Sequence, residues 1–365
     1  MWAMILKEFR ELKRDPRTLA MLIALPIVLL VVFGYAANFD VSKISTVVVG
    51  PQAQQVASQL KEPFNVVKVD PNGTQASVQN TIRDGDAVVG IVTGQSPILV
   101  MMDGTEQFSV QAAQGAFAQM AKQAQSTGQA PPSVTVQILY NPDLKTSWIM
   151  IPGLTGLILL FIGTLITSLG IVRERQAGTI EQLAVMPFRP WDVIIGKIVP
   201  YLLLASLDMV VIVVVGTLLF GVPFVGSIAT FALGAILFLL VALGMGVLIS
   251  SVSQNQGQAI QLAIMFVVPQ ILLSGLIFPI SSMAPGVAWI AYILPLSYFI
   301  QIARGVMLKG APISALWVPL VVLAGMAVIV LGAAMVRFRR DLAPSVKSAP
   351  EDAAEPGEET EQVTA

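Results

Sequence analysis

Six stretches of this sequence are long, apolar and almost free of charge: Thr18–Ala37, Trp148–Val172, Val193–Gly221, Ile228–Ser251, Gln258–Ile280 and Ile313–Val336. A bilayer core of about 30 Å takes roughly 20 helical residues to cross, and a helix satisfies all its backbone hydrogen bonds internally. Six such runs predict a polytopic α-helical membrane protein with six transmembrane helices. Composition agrees: 55% of the 365 residues are hydrophobic and 12% charged, whereas a soluble domain is about a quarter charged. The chain has no Cys and no His, which excludes disulfides, thiol nucleophiles, iron–sulfur ligation, His-based zinc sites and imidazole catalysis. A net charge of −1 gives no general electrostatic reason for binding nucleic acid.

Basic residues orient the spans. Lys7, Arg10, Lys13, Arg14 and Arg17 precede the first; Arg173, Arg175 and Arg189 follow the second; Arg337, Arg339 and Arg340 follow the last. The positive-inside rule places all three clusters in the cytoplasm, and alternation over six spans satisfies them together, with both termini cytoplasmic. The first run resembles a signal peptide in having a basic flank and small residues at its end, but it is near spanning length and no clean A-x-A site follows.

Residues 38–147 then lie outside and differ in character. Short β-rich runs (Thr46–Val49, Val66–Val69, Val88–Val92, Ile98–Met101, Val134–Leu139) alternate with helical stretches at Gln52–Leu60, Gln75–Arg83 and around Gln107–Gln125. They predict an inserted α+β extracytoplasmic domain, with Asn141–Pro142 marking the return to the membrane. Asp84 and Asp86 flank a Gly and read as turn formers rather than metal ligands. The tail, 337–365, turns acidic from Glu351 to Glu361 with almost nothing to bury, and is expected to be disordered.

Several segments offer mechanism. Trp2, Ile5, Leu6, Phe9 and Leu12 share one helical face opposite Lys7, Arg10 and Arg14, and Asp15–Pro16 ends the pattern. This predicts an interfacial amphipathic helix over 1–17, serving as an anchor or as a docking element. The loop 173–191 carries a helix-start signal at Thr179 with Glu181 and Gln182 close behind, so a short helix beneath the membrane is expected, as a connector or a partner-binding element. Asp208 is the one acid inside a span; it is expected to face the bundle, a water-filled cavity or a polar partner, as a substrate or cation contact or as a hydrogen-bonded structural acid. Gln258, Gln261 and Gln270 in the fifth span, and Thr164, Thr167 and Ser168 in the second, either line an internal path or bond neighbouring helices.

Together, Tyr140-Asn-Pro-Asp-Leu-Lys, Arg173-Glu-Arg-Gln-Ala-Gly-Thr-Ile-Glu-Gln-Leu, Pro187-Phe-Arg-Pro-Trp191 and Gly196-Lys197 resemble the permease subunits of type-2 ATP-binding-cassette (ABC-2) exporters. Phe220-Gly-Val-Pro223, Leu273-Ser-Gly-Leu-Ile-Phe-Pro279 and Pro295-Leu-Ser-Tyr298 extend the likeness to about Phe338. It is closest to the multidrug-type branch of bacterial inner membranes, with a large extracytoplasmic insertion after the first span. The resemblance implies a half-transporter working with a second copy of itself or a related permease, and with separate cytoplasmic ATPases that hold ATP and Mg. It assigns ATPase coupling to Glu174, Gly178, Thr179, Glu181 and Gln182, a connecting-helix role to Phe9, Arg10 and Arg14, and re-entrant helices to 282–302. It also implies a path bordered by spans two and five, making Gln261, Gln270 and Thr164 candidate path residues, beside Asp208, a candidate because it is the one acid inside a span. The expected cargo is a hydrophobic or amphipathic molecule such as a drug or lipid.

The residues themselves agree that this chain binds no nucleotide: no G-x-x-x-x-G-K-[ST] occurs, since Gly196-Lys197 is followed by Ile198 and lacks the upstream Gly. No constellation suggests a nucleophile or a metal site, so no enzyme activity is expected of it. Two other readings stay open from sequence: a membrane-anchored receptor or structural protein acting through 38–147, and a proton-driven transporter using Asp208.

Overall fold

The structure, a computed structural model, describes residues 41, 43–126, 133–178 and 190–342. The expected first span, the amphipathic segment before it, most of the 173–191 loop and the acidic tail lie outside these residues.

Residues 43–126 and 133–145 build a lobe around a five-stranded sheet: β1 (Ile44–Val49), β2 (Phe64–Asp70), β3 (Val89–Val92), β4 (Ile98–Asp103) and β5 (Val134–Leu139), in the order β2-β1-β3-β4-β5. β1 pairs parallel with β2 and β3, β4 pairs parallel with β5, and only β3 and β4 are antiparallel. Parallel strands need both faces covered, and helices supply the cover. α1 (Ala53–Gln59) and α3 (Gln107–Ser126) pack on the face that carries Ile44, Val48, Ile91 and Val100, while α2 (Gln75–Asp84) packs on the face that carries Val47, Val49, Val92 and Met101. The alternation of β1 between these two cores is the two-residue period of a strand made visible. A capping box holds the start of α2: Ser77 N–H donates to the Thr74 hydroxyl and Thr74 N–H to the Ser77 hydroxyl. Gly85, in the left-handed conformation, ends the helix between the two aspartates noted above.

The rest is mostly helical. α4 (Thr146–Gln176), α5 (Pro190–Phe220), α6 (Ile228–Val252), α7 (Gln256–Leu273) and α10 (Trp317–Leu342) are the five helices long and apolar enough to cross a membrane among the described residues. Between the last two come a 3-10 turn (Ile280–Ser282), α8 (Pro285–Ala291) and α9 (Pro295–Met307). α6 sits at the centre, packed by α4 on one side and α10 on the other. α5 contributes least to the core: Leu203, Leu207, Val211, Val214 and Leu218 form an exposed apolar stripe, the surface a helix presents to lipid or to another membrane helix.

The expected span Gln258–Ile280 needs correction. α7 stops at Leu273 because Ser274 caps it and Gly275, at φ 85°, turns the chain into a conformation that side chains with a Cβ rarely adopt. Leu276 and Phe278 are apolar because they are buried beyond the helix, in the connection to α8, and not because they extend a span. The last helix likewise starts at Trp317, leaving Ile313 exposed in the preceding connection.

α9 is a wedge driven into the lobe end of the bundle. Phe299 stacks on Phe238 of α6 at 4.5 Å between ring centroids, with Phe231 at 6.1 Å. On the opposite side Gly156 of α4 makes room: a Cβ there would lie 2.4 Å from the Phe299 ring. Sheet lobe and bundle meet through Asn141, which is fully buried. Its side-chain amide donates to the carbonyls of Gly104 and Lys145, and its oxygen accepts from Lys145 N–H at 2.9 Å, tying the last strand to the start of α4.

Candidate functional site

The residues singled out by sequence fall at three levels along the bundle. At the end remote from the lobe, the last turn of α4 grips its neighbours. Glu174 pairs with Lys197 of α5, and Arg173 Nε donates to Gln256 Oε1 at 3.3 Å. Arg175 donates to the carbonyls of Ser250 and Ser253, both at 3.0 Å, and Gln256 donates to Gln176. The carbonyls that Arg175 reaches belong to the end of α6, where helical C=O groups lack intrahelical partners. One helical turn therefore clamps α5 and the α6–α7 connection together. Gly178, at φ 73°, ends this turn and leads into the loop. Of the coupling residues, Glu174 and Gly178 are described; Thr179, Glu181 and Gln182 lie outside the described residues, as do Phe9, Arg10 and Arg14 of the N-terminal segment. Gly196-Lys197 lies within helix α5, a geometry unlike the phosphate-cradling loop such a pair serves elsewhere.

The middle level is packed. Thr164 is fully buried and donates to the Ala242 carbonyl at 3.2 Å, so its hydroxyl joins α4 to α6. Thr167, one turn on, faces the close approach of Gly246, and its hydroxyl has no partner among the described residues. The same holds for the Gln261 side-chain oxygen. Asp208 is half-buried on α5, between the exposed Leu207 and the buried Met209. Toward the far end, an open apolar cavity of about 720 Å³ lies between α6, α7 and α10, lined by Met245, Leu248, Leu262, Met265 and Phe266 with Arg337 at its edge. Its size and lining suit a drug-sized or lipid-like molecule.

At the lobe end, α7 and α9 close on each other. Gln270 is 0% exposed, and its side-chain oxygen accepts from Leu296 N–H at 3.1 Å, one of the first-turn donors of α9 that no helical carbonyl can satisfy. Its amide nitrogen, the Ser274 hydroxyl one turn further on and the Ser297 hydroxyl beside Leu296 are all buried with no hydrogen-bond partner among the described residues. Buried polar groups are normally paired. Three groups without such a partner among the described residues cluster at this one helix contact.

Charges that the sequence reading passed over lie just beyond this contact. Lys309 Nζ is 2.5 Å from Asp103 Oδ2, and Arg304, on α9, lies 3.9 Å from Glu106 while donating to the carbonyls of Ile149 and Gly275. Burial pushes the Glu106 carboxyl up from its ordinary range; Arg304 pulls it back and Asp103 pushes it further up. The signal was present in the sequence: Arg304 and Lys309 are the only charged residues between Asp208 and Arg337, and isolated charges in so apolar a stretch need partners.

A family model described as ABC-2 family transporter protein matches residues 16–336. The probable multidrug ABC transporter permease YbhS of Escherichia coli is 31% identical over 365 residues, covering 93% of this chain and 97% of the relative. YbhR of the same organism, also named a probable multidrug ABC transporter permease, is 29% identical over 361 residues, covering 93% and 98%. ABC transporter G family member 20 of Dictyostelium discoideum is 29% identical over 195 residues, 53% of this chain and 27% of that protein.

Proposed function

The chain belongs to the ABC-2 transporter family as a permease subunit of an ABC exporter, and from that premise we propose how its parts divide the work. It is a multi-pass protein of the bacterial inner membrane. Residues 18–37 supply a sixth span before the five described helices, both termini face the cytoplasm and the sheet lobe faces outward, a reading that the basic clusters at 7–17, 173–189 and 337–340 support. ATP and Mg are held by separate ATPase polypeptides, and two permeases, identical or related, form the channel. The cargo is a hydrophobic or amphipathic molecule, in keeping with the apolar cavity between α6, α7 and α10.

Coupling is mechanical. Closure of the ATPases pushes the 173–191 loop, and the clamp made by Arg173, Arg175 and Gln176 passes that push to the α6–α7 connection. α7 has 18 residues, a rod of about 27 Å at 1.5 Å per residue, whose other end carries Gln270. Displacing it breaks the Gln270–Leu296 contact and opens the path between α7 and α9, a two-state change of the kind packed helices undergo. The observation that carries this reading is the family match across almost the whole chain. It is tested with inverted membrane vesicles containing the permease and its ATPase, following ATP-dependent uptake of a lipophilic fluorescent dye. Uptake that is lost in Glu181→Lys, with the variant still inserted in the membrane, supports the assignment; undiminished uptake removes the loop from the mechanism.

A further inference from the structure

The proposed path explains why α9 closes on α7, but not why its other end is bound to the sheet lobe by buried charge. Lys309, two residues past α9, is 11% exposed; it meets Asp103, which is 1% exposed, at 2.5 Å and also donates to the Ile82 carbonyl at the end of α2. Asp103 is itself fixed, accepting from both the N–H and the hydroxyl of Thr105 at 3.0 and 2.7 Å. Arg304 makes the second tie, reaching Glu106 in the lobe, Ile149 at the start of α4 and Gly275 at the turn that ends α7. Arg83, Asp84 and Gln301 join these four in lining a polar cavity of about 250 Å³ at the junction. The lobe is also joined to α4 through buried Asn141.

Breaking the Lys309–Asp103 pair leaves one charge buried without its partner, which is strongly unfavourable. We propose that Lys309 and Arg304 are positioning residues that make the sheet lobe and α9 one part, so that the lobe stays with α9 when α7 parts from it and the long Arg304–Gly275 contact is the one that releases. Whatever shifts the lobe thereby shifts α9. This rests on the reading that the path ends at the α7–α9 contact, and it adds a function for the lobe: it is the external handle of the gate rather than a passive cap. The alternative geometry, in which the pairs part each time the path opens, would strip partners from Asp103 and Lys309 in every cycle.

The absence of cysteine from the chain makes the test direct. Spin labels are placed in the permease–ATPase complex at two pairs of exposed positions, Ser58→Cys with Ile293→Cys, and Ser58→Cys with Leu218→Cys. Distances are compared without nucleotide and after trapping with ATP and vanadate. ATP hydrolysis measured in the same samples establishes that the exporter reading stands, so that a failure here belongs to this proposal alone. The expected result is an unchanged distance from Ser58, in the lobe, to Ile293, at the mouth of α9, with a shifted distance from Ser58 to Leu218 at the end of α5. A Ser58–Ile293 distance that changes, or two distances that both stay fixed, would overturn the proposal. A charge exchange gives an independent readout. Lys309→Asp lowers transport per ATP hydrolysed on the order of tenfold, within the usual range of coupling between sites, and Asp103→Lys added to it restores the ratio. Failure of the double exchange to restore coupling, in a complex as thermally stable as the parent, would count against it.

Discussion

Lys309 Nζ and Asp103 Oδ2 lie 2.5 Å apart although 206 residues separate them in the chain, and both side chains are almost completely withdrawn from solvent. Removing the lysine charge leaves a carboxylate buried against α9. Lys309→Met is expected to lower stability by about 3–5 kcal/mol, the scale for orphaning one member of a buried pair. In Lys309→Met/Asp103→Asn the orphaned charge is gone and much of the loss is regained. Thermal unfolding in detergent checks the order; a double variant as unstable as the single one would show that the pair is not the source of the loss.

Glu106 is expected to make the same junction pH-sensitive. Its carboxyl is raised above the ordinary 4.5, chiefly by burial, so the folded state binds its proton more tightly than the unfolded state does. Stability from this group is fully present below pH 4.5 and is lost as pH rises through the raised value. Glu106→Gln is expected to flatten the dependence of unfolding temperature on pH from 4.5 upward. An unchanged slope would assign it to another group.

The lone hydroxyls at the α7–α9 contact separate a structural role from a transport role. Ser274 and Ser297 are buried with no hydrogen-bond partner among the described residues, and an unsatisfied buried polar group costs about 1–3 kcal/mol. Ser274→Ala/Ser297→Ala is therefore expected to be at least as stable as the parent, yet poorer in transport, because the hydroxyls are exposed to the cargo only when the path opens. A variant that is less stable and transports normally would make them packing residues.

α9 can be unseated sterically. The Gly156 position meets the Phe299 ring at 2.4 Å if a Cβ is added, and overpacking of this kind costs about 1–3 kcal/mol. Gly156→Val is expected to loosen α9, seen as faster hydrogen exchange at Leu296–Ala303. Unchanged protection there would mean that α4 yields instead.

How much of this was legible in the sequence follows from what each signal encodes. Span positions were readable because length and lack of charge are local properties, and the start of α6 at Ile228 matches the expected run. The end of α7 was not, since apolar residues from Leu276 to Phe278 look alike whether they continue a helix or fill the space beyond Gly275. Strands such as Val134–Leu139 were found by pattern, but strand order was hidden: alternation gives the two faces of β1 and says nothing of its parallel pairing with β2 and β3. Thr164 and Gln270 were chosen for being polar inside spans, and only packing distinguishes them. One donates to a neighbouring helix, while the other accepts from the first turn of α9 and has an amide nitrogen with no partner among the described residues. The ion pairs between lobe and α9 stayed hidden because sequence separation conceals contact.

The most direct test of the account is the isolation of the tagged permease from native membranes in a gentle detergent, with identification of its stoichiometric partners and measurement of ATP hydrolysis in the eluate. The account predicts a separate cassette ATPase in fixed ratio to the permease, retained by the parent and lost in Glu181→Lys. A complex that is otherwise intact but carries no ATPase would contradict it.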